Sequence, residues 1–146
     1  MQLSEDAIAE RLESWPVARL ASSAEDGRPH QVPIVFARSG GRLWSPVDGK
    51  PKRHGELVRV RNLRAHPEIS LLLDDYSSDW TQLWWIRIDA TAEVLQPVPS
   101  NDPEVSAAIA ALEAKYPQYA SVPVLRAPPT LIAFEPSRIV SWTASS

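Results

Sequence analysis

The sequence predicts a mainly β, α+β fold: a six-stranded antiparallel barrel with three helices packed against its outside. Three observations carry this. The first three strand-like runs are joined by short turns, Glu25-Asp26-Gly27-Arg28 and Ser39-Gly40-Gly41, and Asp-Gly between two such runs is a hairpin signal. Leu83 to Leu95 alternates strictly between apolar and polar positions, as a half-buried strand must. Helical patterns follow the third and fifth strands only, which departs from the strand–helix alternation of a doubly wound sheet. A length of 146 residues suits one domain, 1–146, able to bury about two-thirds of its unfolded surface.

Taken in order, Ser4 caps a first helix whose opening turn carries Glu5 and Asp6 and whose stripe is Ile8, Leu12 and Trp15. Pro16 ends it, and Val17 to Ala21 is the first strand. The second runs from His30 to Arg38, with His30, Val32, Ile34 and Phe36 on one face. Pro33 lacks an N–H, so it marks an edge, a bulge or an opening. Arg42 to Ser45 is the third strand, and Pro46 to Arg53 is a loop. Leu57, Val60 and Leu63 define a short helix over 55–66 that turns Arg59, Arg61 and Arg64 to its polar side. Ile69 to Asp74 is the fourth strand. In the fifth, Leu83 to Leu95, Trp84, Ile86, Ile88, Ala90, Ala92 and Val94 face inward. Trp85, Arg87, Asp89, Thr91 and Glu93 face outward. At thirteen residues this strand is long enough to bend between two sheets or to reach a partner. Asp102-Pro103 opens a third helix with the stripe Val105, Ile109, Leu112 and Tyr116. A proline-interrupted connection then leads to a last strand, Thr130 to Trp142.

Composition removes several classes of function. The chain has no cysteine, which excludes disulfides, thiolate metal sites and a Cys nucleophile. His30, His54 and His66 have no metal-ligand spacing. G-x-G-x-x-G, Walker A, H-E-x-x-H and G-x-S-x-G patterns are absent. Without a nucleophile or a metal, any chemistry is expected to come from a cofactor. Apolar runs are far shorter than the ~18 residues that span a bilayer, and the acidic N-terminus is unlike a signal peptide. These features point to a cytoplasmic protein that does not engage membranes. The net charge of −3 argues against nucleic-acid binding. Yet residues 50–66 hold Lys50, Lys52, Arg53, Arg59, Arg61 and Arg64 against Glu56 alone. Such a compact basic segment suits a discrete anion, although it also reads as a solvated helix face.

Three segments can carry a site. Ser45-Pro46-Val47-Asp48-Gly49-Lys50-Pro51-Lys52-Arg53 combines a hydroxyl, a tight turn, three cations and a helix start, a setting for phosphate. Trp85 and Arg87 are neighbours on the polar face of the fifth strand, as at an interface or a ligand wall. Gly27 to Phe36 is a proline-interrupted strand whose free backbone groups a planar ligand could use. His30 within it is an available acid or base, or simply a structural histidine.

In this order the segments resemble the pyridoxamine-phosphate-oxidase-like split-barrel superfamily, and within it the small F420-dependent, deazaflavin oxidoreductases. The residues that carry the resemblance are Ala18-Arg19-Leu20-Ala21, Asp26-Gly27-Arg28-Pro29-His30, Pro33-Ile34-Val35-Phe36, Ser45 and Asp48 to Arg53. Arg61 to Pro67, Leu71 to Tyr76, Asp79-Trp80, Leu83 to Arg87, Lys115-Tyr116-Pro117 and Trp142 complete the series.

The resemblance implies a flavin-mononucleotide-type split barrel and a homodimer with cofactor sites at the subunit interface. Ser45, Lys50, Lys52 and Arg53 would contact phosphate, Lys50 and Lys52 competing for the main role. Pro33, Ile34 and Val35 would lie along the ring system. The partner subunit's strand-five region, Trp85 and Arg87, and the C-terminal Trp142 would close the site. The implied activity is hydride transfer between coenzyme F420 and a flat electrophile such as a quinone, an enone or a tetrapyrrole. Flavin mononucleotide is the rival cofactor. Its molecule ends at the phosphate, whereas F420 continues into an anionic tail that Arg59, Arg61 and Arg64 would attract. His30, Tyr76 and solvent are all open as proton donors, so no catalytic residue is assigned. The alternatives are a flavin-mononucleotide oxidoreductase and a non-catalytic carrier of F420, flavin or haem.

Overall fold

The computed structural model describes residues 1–48 and 57–145. Among the described residues seven strands form one antiparallel sheet: β1 Ala18–Ser23, β2 Pro29–Ile34, β3 Ala37–Ser39, β4 Arg42–Pro46, β5 Glu68–Asp75, β6 Trp84–Leu95 and β7 Leu131–Thr143. The α-helices among them are α1 Glu5–Ser14, α2 Val58–Ala65 and α3 Pro103–Lys115, with short 3-10 turns at Trp80–Gln82 and Pro117–Ala120. Strand order is β2-β1-β5-β6-β7-β4-β3. The two edge strands of this order are consecutive in the chain and separated only by Val35 and Phe36. A sheet whose opposite edges are joined by two residues has to curl round on itself, which makes it a barrel with one open seam.

That seam corrects the expected strand count. The run from His30 to Arg38 is not one strand but two, because its halves pair with different neighbours. Ile34 is the last residue paired to β1, opposite Ala18, and Ala37 is the first paired to β4, opposite Trp44. Pro33 lies on the edge strand β2, where a missing N–H costs no ladder bond. The predicted Asp-Gly hairpin forms: Gly27 adopts φ +86°, and Ala24 N–H donates to the Arg28 carbonyl.

The β6–β7 ladder is the longest in the sheet, twelve paired residues of β6 with a register shift between Asp89 and Ala90. A bulge of this kind increases twist and lets a long strand bend, as its length required. The predicted alternation holds from Trp84 to Ala92.

Two apolar clusters fill the molecule. The first occupies the barrel interior and includes Leu20, Phe36, Leu71, Leu73, Ile86, Ile88 and Phe134, with Leu12 of α1 and Val60 and Leu63 of α2 closing it. Trp15 meets Trp84 edge to face at 4.8 Å, and the Arg11 guanidinium lies over the other ring at 4.7 Å. The second cluster packs Val105, Ala108, Leu112 and Tyr116 of the α3 region against Trp44, Leu131 and Ala133 on the outer barrel wall. Strands β4 and the first half of β7 are therefore buried on both faces, so their sequences read as runs without alternation. No helix among the described residues is long and apolar enough to cross a membrane.

Candidate functional site

The open seam between β2 and β4 holds a cavity of about 130 Å³ lined by Pro33, Ile34, Val35, Ser45, Pro46, Asp48 and Arg59. Pro33 to Val35 form one wall because the ladder to β1 stops at Ile34. Ser45, the fourth β4 residue, donates its hydroxyl proton to the Val35 carbonyl at 2.7 Å and so bridges the seam. Its oxygen remains only as an acceptor.

Arg59 comes from the first turn of α2. Its Nε is buried and has no hydrogen-bond partner among the described residues. Burial holds the guanidinium below its ordinary pKa, and Arg126 pushes the same way, while Asp48 opposes both. At ~100° per residue, Arg61 and Arg64 lie ~60° apart on α2, whereas Arg59 is ~140–160° from either. The helix thus divides the three arginines expected on one polar side. Arg61 and Arg64 are exposed, with Arg64 donating to Gln96, and Arg59 faces the cavity.

Sequence reasoning missed what holds the other wall, Pro46 and Asp48, in place. The segment between α3 and β7 is stitched to the loop after β4 by two backbone bonds, Val47 N–H to Thr130 O at 3.1 Å and Arg126 N–H to Val47 O at 3.0 Å. Tyr119 donates to the Asp48 carboxylate at 2.6 Å. Asp48 is 1% exposed. Burial raises the Tyr119 pKa well above the ordinary phenol range, and the Asp48 hydrogen bond and charge add to it. These residues lie seventy or more positions apart in irregular chain, so no periodicity announces them. The only signal was Asp48 itself, which reads locally as the start of a turn.

Trp85, Arg87 and Trp142 form a separate group. Trp85 and Trp142 are partners across the β6–β7 ladder, and Arg87 lies two residues along the same outer face. Pro33 pairs with Arg19, Arg19 with Leu72, and Leu72 with Arg87. Three strand spacings thus separate Pro33 from Arg87, roughly 14 Å. Within the chain the tryptophans and Arg87 do not converge with Pro33–Val35. His30 and Tyr76 are not among the cavity residues: His30 has a buried Nδ1 without a partner among the described residues, and Tyr76 is exposed at the end of β5. Lys50, Lys52, Arg53 and His54 lie outside the described residues. Among the described residues no group of His, Asp and Glu is placed to hold a metal.

An orphaned guanidinium N–H, a proline-interrupted wall and a narrow seam fit a planar ligand carrying carbonyl or anionic oxygens. Seam and sheet order together define a split barrel. The pyridoxamine 5'-phosphate oxidase family model matches residues 4–143, and the chain belongs to that family.

Solved structures agree on the fold. The conserved hypothetical protein Rv2991 from Mycobacterium tuberculosis superposes with a TM-score of 0.74 at 22% identity, covering 97% of this chain and 86% of its own. A FAD-binding protein from Mesorhizobium loti gives 0.68 at 20% identity, with 97% and 93% covered. A structure described as an F420 reductase gives 0.58 at 20% identity, with 89% and 93% covered. No curated protein matches the chain significantly in sequence.

Proposed function

We propose that this chain is an F420-dependent oxidoreductase. It would bind the deazaflavin in the β2–β4 seam and pass hydride between it and a flat electrophile such as a quinone, an enone or a tetrapyrrole. The observation that carries the reading is the buried Nε of Arg59, without a partner among the described residues, in a cavity walled by Pro33, Ile34 and Val35. A buried guanidinium N–H without an acceptor is costly, and a ligand oxygen there relieves the cost.

When bound, the deazaflavin supplies the hydride chemistry. The chain's own residues bind, orient and exclude water. Pro33 to Val35 present one flat face, and Ser45 keeps that face in register through Val35 O. Arg59 donates to a ring or phosphate oxygen, while Lys50, Lys52 and Arg53 hold phosphate. The exposed pair Arg61 and Arg64 steers the anionic tail, which is the feature favouring F420 over flavin mononucleotide.

The second half of the site would come from a homodimer. The outer face of β5, β6 and β7 carries Leu72, Trp85, Val140 and Trp142, apolar groups that a second copy would bury. Trp85, Arg87 and Trp142 of the partner subunit would then reach the seam that they cannot reach in their own chain.

Similarity to a FAD-binding protein keeps flavin as the alternative in the same cleft. Equilibrium titration with F420, and separately with flavin mononucleotide, decides between them. Micromolar or tighter binding of F420 with much weaker flavin binding is the expected result. The reverse order moves the chain to the flavin branch, and binding of neither refutes the reading.

A further inference from the structure

The β2 residues that wall the cavity run directly into a bend that no strand supports. Pairing to β1 ends at Ile34 and pairing to β4 starts at Ala37, so Val35 and Phe36 lie between ladders. Their backbone is held by side chains instead. Ser45 donates to Val35 O at 2.7 Å. The Tyr116 hydroxyl accepts from Phe36 N–H at 3.0 Å, and both Phe36 O and Pro16 O lie 2.9 Å from it, sharing its single proton. One oxygen thus binds the N–H and the C=O of the same residue and ties in the α1–β1 link. Lys115, next in the chain, sets its ammonium 3.7 Å above the Phe36 ring and donates to Leu12 O at 3.2 Å. Tyr116 is 7% exposed and closes α3 as its C-cap, so its position is fixed by the second core rather than by the barrel it braces.

We infer that Tyr116 is a positioning residue for the cavity wall: its hydroxyl sets where Val35 stands and how far the seam opens. The inference rests on the proposed ligand cleft, and it assigns a role to a residue that does not touch the ligand. Two features separate this role from ordinary core packing. The hydroxyl bonds are made at the one residue joining the wall to β3, and no ladder bond there duplicates them. A planar ligand held against residues 33–35 is sensitive to wall displacement, since a gap of ~0.5–1 Å already forfeits about a quarter to a half of each van der Waals contact.

The test uses the full chain. Tyr116→Phe keeps the ring and removes the oxygen, and Leu112→Val in the same helix and cluster serves as a control for general destabilisation. Affinities for F420 and flavin mononucleotide are read beside thermal midpoints and the exchange rate of the Phe36 amide. Tyr116→Phe is expected to weaken binding ~10-fold and to speed Phe36 exchange while β6 amides stay protected. Leu112→Val, compared at equal loss of midpoint, is expected to leave affinity unchanged. Equal losses of affinity in the two variants overturn the assignment.

If the unaltered protein binds neither cofactor, the cleft reading fails by itself, and the brace is judged on Phe36 exchange alone, where no change overturns it. If Tyr116→Phe does not fold, the unaltered protein decides. Its Phe36 amide is expected to be protected although it has no strand partner, and exchange as fast as in the exposed Gly40-Gly41 turn overturns the proposal.

Discussion

Tyr119 donates its hydroxyl to the carboxylate of Asp48 at 2.6 Å, joining the irregular segment after α3 to the loop after β4. The two residues are 71 positions apart, and Asp48 lines the candidate cavity. Tyr119→Phe removes a bond to a buried charged group, so a loss of about 1–3 kcal/mol is expected from urea unfolding. Burial and Asp48 raise the Tyr119 pKa, so its contribution is full below pH ~10 and falls as pH rises above that value. Alkaline unfolding should begin at higher pH in Tyr119→Phe, relative to its own neutral-pH stability.

Arg59 predicts a separation of stability from binding. Burial of its guanidinium and the nearby Arg126 together outweigh the attraction of Asp48, and its Nε has no partner among the described residues. Arg59→Met should therefore leave the unfolding midpoint unchanged or raise it while weakening cofactor binding ~10-fold or more, a stability–function trade. Parallel thermal scans and binding titrations check both halves.

Arg61 and Arg64 occupy a different face of α2, and their effect should depend on the length of the ligand. The double variant Arg61→Ala, Arg64→Ala is expected to lose affinity for F420 and to keep its affinity for flavin mononucleotide. The F420 loss should shrink with added salt, since exposed charges are screened beyond ~10 Å at 0.1 M. Titrations at low and high ionic strength measure it.

Lys115 gives a pH dependence of opposite sign to that of Tyr119. Burial lowers its pKa to about 8, against a small opposing effect of Glu13. The unfolded chain, with lysine near 10.4, binds the extra proton across the window between these values. Stability from this group is present above that window and is lost as pH falls through 8. Thermal midpoints from pH 7.5 to 9.5 should therefore rise in the unaltered protein relative to Lys115→Met, and parallel curves would contradict the assignment.

Trp85 and Trp142 test the assembly. They are cross-strand partners on the outer face of β6 and β7, beside the exposed Arg87. Trp85→Asp is expected to give a monomer by analytical ultracentrifugation. Cofactor affinity should fall with it, because the partner's share of the site is lost. A dimer that persists with unchanged affinity would rule out this face.

Much of the architecture was legible because it follows from local rules. The alternation from Trp84 to Ala92, the Asp26-Gly27 turn, the Asp102-Pro103 helix start and the stripes of α1 and α2 all depend on neighbours within a few residues. Pro33, a residue with no N–H to donate, indicated an edge, a bulge or an opening, and it lies on the edge strand β2. Pro33, Ile34, Val35, Ser45 and Arg59, singled out by the family resemblance or by the basic segment, all line the cavity.

Long-range register decided the rest. The run from His30 to Arg38 divides into β2 and β3 because its halves pair with strands at opposite edges of the order, which no local pattern encodes. Tyr119, Arg126 and Tyr116 reach the seam only through packing of α3 and the chain after it, which brings residues 70 to 80 positions away against Asp48 and Phe36. Arg59 parts from Arg61 and Arg64 because a helix distributes side chains by angle and the barrel selects which angle is buried. Local chemistry therefore determined the elements and the kinds of residue available to a ligand. Only the closing of the sheet decided which of them meet, because pairing partners distant in sequence are chosen by burial of the whole.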